Sequence, residues 1–278
     1  MIGIRFLTDA ERPDGTFDDQ LLVRPLARLG LVVQFIDWQS RVFMDSMHVV
    51  RSTWNYQRDC PAFLLAMAKV PRLHNAIEIL EWNSDKRYLT ELARRNVPTV
   101  PTRFATGPGL ASILADCGWD HVVVKPAISA GGERTYRARG PAESAWVIAQ
   151  LRADPSMFMV QPYLDRVTTL GEVSVMIAAG EVTHAVVKRP AAGGFLVHEE
   201  HGGLTQACPV DAELARLSLA AAACAPGLPT YARADWLFSP AGPQLVELEL
   251  IEPALYLSHD ARAPARFADA FARAAGAS

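Results

Sequence analysis

The amino-acid sequence predicts a small parallel α/β lobe followed by α+β structure. The parallel lobe is indicated by the first apolar runs, because strand 2–7, a helical pattern over 18–29 and strand 31–36 follow one another directly. Alternating apolar and polar residues over 171–189, interrupted by "AAGE", indicate a long antiparallel hairpin. The chain has 278 residues, of which 50% are hydrophobic, and this is enough for a large core and roughly two domains.

The rest of the first third follows from the same periodicities and from helix start and stop signals. Gly30 stands where the first helix must end. The next predicted elements are strand 48–51 and helices 61–69 and 76–81. Asn83 or Ser84 is then expected to cap a helix over "SDKRYLTELARRN", which Asn96 and Pro98 end.

Beyond Pro98, short strands alternate with helices, and antiparallel pairs replace parallel ones. The predicted elements are a strand near 99–104, helix 110–117, strand 121–125, return strand 133–138, helix 141–152, strand 157–161, helix 211–223, strands near 230–238 and 244–250, and a last helix over about 264–275. The segment "SPAGPQ" is a clear turn between the last two strands. This order is typical of α+β lobes.

Charge and hydropathy argue against several classes of partner. The net charge is −3 and no run of Lys or Arg occurs, so nucleic acid is not indicated. No apolar stretch approaches the ~20 residues that a membrane helix requires, and charge comes too early at the start for a secretory signal. Four cysteines lie far apart without CxxC spacing, which favours reduced thiols and a cytoplasmic location: Cys60, Cys117, Cys208 and Cys224.

The stretch "VVVKPAISAGGERTYR" at 122–137 places Lys125 at the end of an apolar strand, beside a small-residue loop. That loop contains Ser129, Gly131 and Gly132. Cationic side chains and glycine backbone at close approach suit a phosphate group, whereas a plain hairpin turn explains the glycines equally well. The loop is neither a P-loop nor a dinucleotide-binding fingerprint, because GxxxxGK[ST] and GxGxxG are absent from it.

The last two strands, "ARADWLF" and "LVELELIEP", carry a concentration of charge. Alternation puts Arg233 and Asp235 on one face of the first strand, and Glu247 and Glu249 on one face of the second. Carboxylates at this density suit Mg²⁺, which accepts a few carboxylates together with substrate phosphates. A solvated acidic face is the alternative, but like charges on neighbouring strands repel and an ion would relieve that repulsion.

Two further segments are less specific. "MVQPYLD" at 159–165 ends a strand at Gln161, Tyr163 and Leu164, and Glu172 follows; an ordinary strand exit explains these residues as well as a nucleotide contact does. The segment 186–203 has two Gly-Gly pairs around polar residues, as in a mobile lid. Lys188 and His198 within this segment are positioned to contact a phosphate or a substrate, although a lone His is more often structural.

Taken in chain order, these features resemble the ATP-grasp superfamily. The order is Lys86 on a capped helix, Lys125 before the loop, the hinge at 161–164, an acid at 172, the glycine-bounded loop, and R-x-D and E-x-E in the last strands. Within that superfamily the chain resembles glutathione synthetase-like and D-alanine–D-alanine ligase-like enzymes, and most closely the ligases that form D-cycloserine. The resembling stretches are "RSTWNY" at 51–56, "WNSDKRYL" at 82–89, "VVKPAISAG" at 123–131 and "ELELIEPALYL" at 247–257.

The resemblance implies an ATP-grasp fold, in which a small parallel α/β lobe at the N-terminus is followed by two α+β lobes that clamp ATP. It implies an N-terminal domain over 1–82 and an ATP-grasp domain over 83–278, with subdomains of about 83–165 and 166–278. It also implies the nucleotide contacts: Lys86 and Lys125 on the phosphates, Ser129 through Gly132 covering them, Gln161, Tyr163 and Leu164 at the adenine, and Glu172 on the ribose.

The same resemblance implies a metal and a transition-state site. Asp235, Glu247 and Glu249 match the Mg²⁺ carboxylates, but glutathione synthetase-like enzymes usually have Asn at the last position. The extra charge of Glu249 leaves open whether one or two Mg²⁺ ions bind. Arg233 matches a cation that stabilises the oxyanion, and Lys188 matches a cation that holds the transferring phosphate.

Substrate contacts are implied less directly by the resemblance. His198 stands where the glutathione enzyme has Asn, and it is expected to contact the substrate. Arg51, in the N-terminal lobe, is expected to meet a substrate carboxylate.

The implied reaction is ATP-dependent ligation of a carboxylate to an amine. A carboxylate would attack the γ-phosphate of ATP to give an acyl phosphate and ADP, and a nitrogen nucleophile would then displace phosphate. The substrate would be a small amino-acid-like molecule, and ring closure of an O-ureido-D-serine-like compound to cycloserine is the first hypothesis. Alternatives are an intermolecular amino acid or peptide ligase, a non-catalytic nucleotide-binding regulatory protein, and a binding protein without a nucleotide; a homodimer is also compatible with the sequence.

Overall fold

The first of three sheets is parallel and confirms the predicted N-terminal α/β unit. In spatial order its strands are β2 (Leu31–Asp37), β1 (Ile2–Thr8), β3 (Met47–Ser52) and β4 (Leu73–His74). Helix α1 (Phe17–Arg28) connects β1 to β2 and begins at a reciprocal capping box between Thr16 and Asp19. The structure is a computed structural model that describes residues 2–276.

Helices cover both faces of this sheet, as a parallel sheet requires. On one face, Leu7 and Val50 pack against α2 (Cys60–Met67). On the other face, Phe6 packs against α1 and against α8 (Ala263–Ala275), the last helix of the chain. The C-terminal helix therefore completes the core of the N-terminal lobe.

The second sheet is antiparallel and lies within residues 103–162. In spatial order its strands are β5 (Arg103–Thr106), β8 (Met157–Pro162), β6 (His121–Pro126) and β7 (Tyr136–Arg139). Helices α5 (Leu110–Asp116) and α6 (Gly140–Leu151) cover one face with a separate apolar core. The other face is free to contribute to a site.

The third sheet is antiparallel and has five strands. In spatial order they are β11 (Leu204–Cys208), β10 (Glu181–Arg189), β9 (Glu172–Ala178), β12 (Tyr231–Ser239) and β13 (Gly242–Glu249). One face packs against α3 (Ile77–Ser84), α4 (Tyr88–Arg94) and α7 (Ala212–Ala222), with Trp236 fully buried among them. No helix within residues 2–276 combines the length and the apolar character needed to cross a membrane.

A helix does form within "SDKRYLTELARRN", but its predicted cap at Asn83 or Ser84 is wrong, because both residues end α3 and the next helix begins only at Tyr88. Lys86 consequently lies in the turn between the two helices. The Asn83 side chain is used elsewhere: its amide donates to the Leu248 carbonyl and its oxygen accepts from the Leu250 N–H, both at 2.7 Å. Asn is favoured at helix caps, but here the same polar group binds a strand.

Two strand boundaries also differ from the prediction. The strand predicted near 99–104 divides: Pro98 and Val100 exchange hydrogen bonds with Leu245 of β13, and only from Arg103 does the chain join the second sheet. The return strand begins at Tyr136, because the residues before it form turns with positive φ at Arg134. The short strands β4 and β11 are additional to those that the sequence predicted.

We expect Asn83→Ala to lower the free energy of unfolding by about 1–3 kcal/mol, because the buried Leu250 N–H would be left unpaired, whereas the Leu248 carbonyl keeps the Tyr88 hydroxyl at 2.8 Å. Urea unfolding of both proteins measures the difference. Thr90→Ala, on the exposed side of the adjacent helix, is the matched control and should change it by less than about 0.5 kcal/mol. A loss of under about 1 kcal/mol in Asn83→Ala would show that this cross-link is unimportant.

Candidate functional site

A cavity of about 430 Å³ is lined by residues from the second and third sheets and from the segments that follow strands of the N-terminal lobe. Trp54 and Tyr56 come from the N-terminal lobe, Lys125 comes from the second sheet, and Lys188 and Asp235 come from the third. The cavity thus collects side chains that are far apart along the chain.

Nearly all of the side chains singled out in the sequence line this cavity. They are Lys86, Lys125, Ser129, Gly131, Gly132, Gln161, Tyr163, Leu164, Glu172, Lys188, His198, Arg233, Asp235, Glu247 and Glu249. Their convergence is what the phosphate-clamp and metal hypotheses required, and separate turns or solvated faces would have scattered them. Their individual roles remain predictions.

The strand register puts the acidic and basic residues of β12 and β13 opposite one another. Arg233 pairs with Glu249, and Asp235 pairs with Glu247. Both pairs point into the cavity, while Ala232 and Ala234 point into the core on the other face. The predicted sharing of one face by these four residues is confirmed.

Two lysines converge on Glu247 from different parts of the chain. Lys86 Nζ lies 3.2 Å from one Glu247 carboxylate oxygen, and Lys125 Nζ lies 3.6 Å from the other. Lys86 also donates to the carbonyl and hydroxyl oxygens of Ser129, at 2.7 and 3.2 Å. Burial alone would raise the pKa of Glu247, but the two ammonium groups hold that pKa below its ordinary value.

A second charged group is centred on Asp235. Arg233 donates to both carboxylate oxygens at 2.9–3.1 Å, Lys188 lies 3.5 Å away and Ser174 donates at 2.5 Å. Burial opposes ionisation of Asp235, yet Arg233 and Lys188 hold its pKa well below the usual range. Lys188 Nζ also lies 2.5 Å from Glu172, and although burial opposes its charge, Asp235 and Glu172 raise the pKa of Lys188.

Glu249 is the least favourably placed of the three carboxylates. Burial raises its pKa to about 7, since its ion pair with Arg233 only partly offsets the burial, and repulsion from Glu247 and Asp235 adds to the increase. An additional cation in the cavity would favour its charged form. The set of hard oxygen atoms fits Mg²⁺, but within residues 2–276 no three His, Cys, Asp or Glu side chains are already arranged around a metal position.

The segment that ends β8 is held in place by polar and aromatic contacts. The Gln161 side chain donates to Thr102 at 2.9 Å. The Tyr163 ring lies 4.3 Å from the ring of His121, and the Arg137 guanidinium lies 5.4 Å from the Tyr163 ring on another side. Arg137 also lies 5.2 Å from the ring of Phe195, in the glycine-bounded segment 186–203. These contacts connect the predicted hinge to the predicted lid.

The two glycine-containing loops face each other across the cavity. Gly132 has a φ of +74°, and a Cβ there would lie 3.4 Å from the His198 ring. Gly203 lies so close to the Val197 carbonyl that a Cβ would approach it to 2.2 Å. Burial lowers the pKa of His198 and the nearby Lys188 lowers it further, which favours a neutral imidazole in this loop.

Arg51 is placed differently from the other predicted site residues. It is 2% exposed, its Nε donates to Asp19 at 2.8 Å and its Nη2 donates to the Pro253 carbonyl at 3.2 Å. It is not among the residues that line the cavity in the described part of the chain. These contacts favour a structural role, and the predicted contact of Arg51 with a substrate carboxylate has no support from them.

Three cavity residues carry no signal that the sequence reasoning used. Tyr256 has a φ of 49°, and its ring lies 6.0 Å from Lys188 Nζ and 5.8 Å from the Arg233 guanidinium. Trp54 and Glu252 also line the cavity. All three lie inside stretches that resemble the cycloserine ligases, so that resemblance was the only available indication.

Comparisons with known proteins agree with this fold. The family model for the N-terminal domain of the D-cycloserine synthetase DcsG matches residues 4–75. The cycloserine biosynthesis protein DcsG of Streptomyces lavendulae is 29% identical, over 97% of this chain and 97% of that protein. The crystal structure of D-cycloserine synthetase DcsG has a TM-score of 0.86 at 26% identity, covering 98% of this chain and 99% of that one.

A more distant structure shows the same fold. The ATP-grasp ligase PsnB, in a complex with its minimal precursor, Mg and ADP, has a TM-score of 0.64 at 19% identity, with 98% of each chain covered. The fold and the similarity to DcsG over nearly the whole chain define an ATP-grasp ligase, an enzyme of the ADP-forming class. Over nearly its whole length the chain is similar to D-cycloserine synthetase, as the sequence resemblance predicted.

We expect Lys188→Met to lower the free energy of unfolding by about 3 kcal/mol at neutral pH. The substitution leaves the Glu172 carboxylate without its cation and removes one of the two cations that pair with Asp235. The low folded-state pKa of Asp235 stabilises the protein above the unfolded pKa of about 4, and this contribution is lost as the pH falls through the folded value. The difference between the two proteins should therefore shrink as the pH falls below about 4.

Urea unfolding at pH 7 and at lower pH measures this dependence. Lys69→Met is the matched control, because Lys69 is exposed and makes no ion pair within the described residues. A stability difference that stays constant with pH would mean that lost packing, rather than unpaired carboxylates, is responsible.

Proposed function

We propose that this enzyme uses ATP and Mg²⁺ to activate the carboxylate of an O-substituted D-serine. The nitrogen bonded to the serine oxygen of the same molecule then attacks the activated carboxyl group and closes a ring. The carrying observation is the convergence of Lys86, Lys125 and Glu247 with Arg233 and Asp235 in one cavity. Similarity to D-cycloserine synthetase over almost the full chain supports the substrate class. PsnB, a ligase of the same fold that binds Mg and ADP, supports the cofactors.

In this proposal the nucleotide lies between the second and third sheets. Lys86 and Lys125 bind the phosphates, and the loop from Ser129 to Gly132 covers them with backbone N–H groups. The hinge residues Gln161, Tyr163 and Leu164 border the adenine. Glu172 binds the ribose with the oxygen that Lys188 leaves free.

Asp235, Glu247 and Glu249 are the residues that would hold Mg²⁺. A bound Mg²⁺ supplies positive charge that offsets the negative charge of the phosphates. Arg233 and Lys188 stand directly beside these carboxylates, so both can neutralise charge that develops on the transferred phosphoryl group and on the attacked carbonyl. His198 contacts the substrate from the lid side as a neutral side chain.

The reaction balances without a protein nucleophile. A substrate carboxylate oxygen bonds to the γ-phosphorus and ADP leaves; the nitrogen then bonds to the carbonyl carbon, inorganic phosphate leaves and the nitrogen loses a proton. For a cycloserine-type ring the attacking atom is the nitrogen bonded to the serine oxygen. The ring nitrogen of cycloserine carries only hydrogen, so closure of O-amino-D-serine gives that ring directly. Closure of O-ureido-D-serine leaves a carbamoyl group on the ring nitrogen, and one water molecule must then remove it as carbon dioxide and ammonia. Both compounds therefore belong in the test panel.

ADP release with a panel of compounds tests the proposal. The panel contains O-amino-D-serine, O-ureido-D-serine, D-alanine and dipeptide-forming amino acid pairs, each with Mg²⁺ and again with excess EDTA. Ring closure predicts Mg²⁺-dependent ADP release with a single O-substituted D-serine. ADP release only with pairs of amino acids would identify an intermolecular ligase, and binding of a fluorescent ATP analogue without turnover on any compound would favour a regulatory protein.

We expect Lys125→Ala to lower kcat/KM for ADP formation by at least about 100-fold, because one of two phosphate-binding cations is lost. The free energy of unfolding should change by less than about 1 kcal/mol, since Glu247 keeps Lys86 as its partner and the cavity is open to solvent. Steady-state kinetics and urea unfolding give the two values. Lys69→Ala should match the wild type in both, and normal turnover by Lys125→Ala would remove Lys125 from the proposed site.

The oligomeric state and cellular location stay predictions. The four cysteines are free thiols in the structure, as predicted, and this supports the proposed cytoplasmic location. The small-molecule substrate is part of the proposed function, and a homodimer remains a hypothesis that sedimentation or light scattering would decide.

A further inference from the structure

Glu252 differs from the four acidic side chains that the strands of the third sheet contribute to the cavity wall. It is 8% exposed and lines the cavity. Within residues 2–276, Glu172, Asp235, Glu247 and Glu249 each have a Lys or Arg nitrogen within 4 Å, whereas Glu252 has none. A buried carboxylate without a cation is costly, so this position favours a ligand that supplies one.

The backbone around Glu252 is fixed from three directions. Its own carbonyl accepts the indole N–H of Trp54 at 3.1 Å. The carbonyl before it accepts the Tyr231 hydroxyl at 2.8 Å, and the carbonyl after it accepts Arg51 at 3.2 Å. Three successive carbonyls are therefore held by distant side chains, which leaves the Glu252 carboxylate as the group free to bind a ligand.

The N-terminal lobe forms the wall beside this carboxylate. Trp54 lines the cavity, and the Arg12 guanidinium lies 4.6 Å from the centre of its ring. Arg12 itself is tied to the buried Asp9 at 3.0 and 3.2 Å. The Arg12 guanidinium is therefore already paired with Asp9, and it forms no ion pair with Glu252.

We propose that Glu252 binds the ammonium group of the amino-acid substrate and selects for substrates that carry one. This rests on the proposed function, because it assigns a residue to the substrate of that same cavity. Burial, together with the nearby Glu249, raises the pKa of Glu252, and an ammonium ion at hydrogen-bond distance would restore its charged form. Glu252 lies outside the paired carboxylates of β12 and β13. An ammonium group bound there would be separate from the substrate carboxylate that is activated.

Calorimetric binding of two probes to the wild type and to Glu252→Gln tests the assignment. The probes are O-amino-D-serine and 3-(aminooxy)propanoate, which has the same chain without the α-ammonium. The wild type should bind the amino acid about 10- to 100-fold more tightly, as expected for one charge-assisted hydrogen bond. Glu252→Gln should bind both probes with the same affinity. Relative to the wild type, only its affinity for the amino acid should fall.

A matched variant distinguishes ammonium recognition from a general loss of binding. Glu213→Gln makes the same chemical change on the exposed start of α7 and should behave as the wild type. An equal loss for both probes, no loss for either, or a changed Mg²⁺ requirement for binding an ATP analogue in Glu252→Gln would overturn the assignment. Failure of the wild type to bind the amino-acid probe would do the same.

The assignment and the proposed function can fail separately. Binding is measured without turnover, so selective ammonium recognition with no ADP release would leave the role of Glu252 standing while the ligase reaction on this substrate fails. If the wild type releases ADP and Glu252→Gln keeps the preference for the amino acid, the proposed function would stand and the role of Glu252 would fail.

Discussion

The need to pair buried charges governs the arrangement of this protein. The cavity face of the third sheet carries Arg233, Asp235 and Lys188, all at most 5% exposed, and no such group is stable there alone. Each is paired: Arg233 with Asp235 of the same strand and with Glu249 of the next, and Lys188 with acidic groups of two other strands. Because Lys86 and Lys125 reach Glu247 from outside the third sheet, the same pairing that satisfies the charges also brings the lobes together around one cavity.

One face of the third sheet changes character along its length. On β9, Glu172 lines the cavity and Ser174 donates to Asp235, whereas Met176 and Ala178 on the same face pack in the core with α8. The opposite face is apolar throughout, with Val173, Val175 and Ile177 against the helices. The charged side chains of this sheet therefore stand on strands that the helices anchor from the opposite face, and such a scaffold keeps charged groups in place without reorganisation.

Much of this could be predicted from the sequence, because strand alternation is local information. Side chains alternate with a period of two residues along a strand, and one turn joins β12 to β13. These two facts are enough to place Arg233 and Asp235 on the same face as Glu247 and Glu249. The register shift after Asp235 could not be predicted, because a β-bulge depends on packing on both faces. The role of Asn83 could not be predicted either, because the same amide that caps helices also binds strand backbone. Glu252 and Trp54 gave no local signal, because only the folded chain brings them together.

The packing of α8 has a consequence for how the chain is made. Phe267 and Phe271, near the end of the sequence, share one core with Phe6 and Val49 from its beginning. On the ribosome, this apolar face of the N-terminal sheet stays uncovered until residues 263–275 have emerged. The lobe synthesised first is thus among the last to mature, and its exposed strands are where chaperones would be needed during translation.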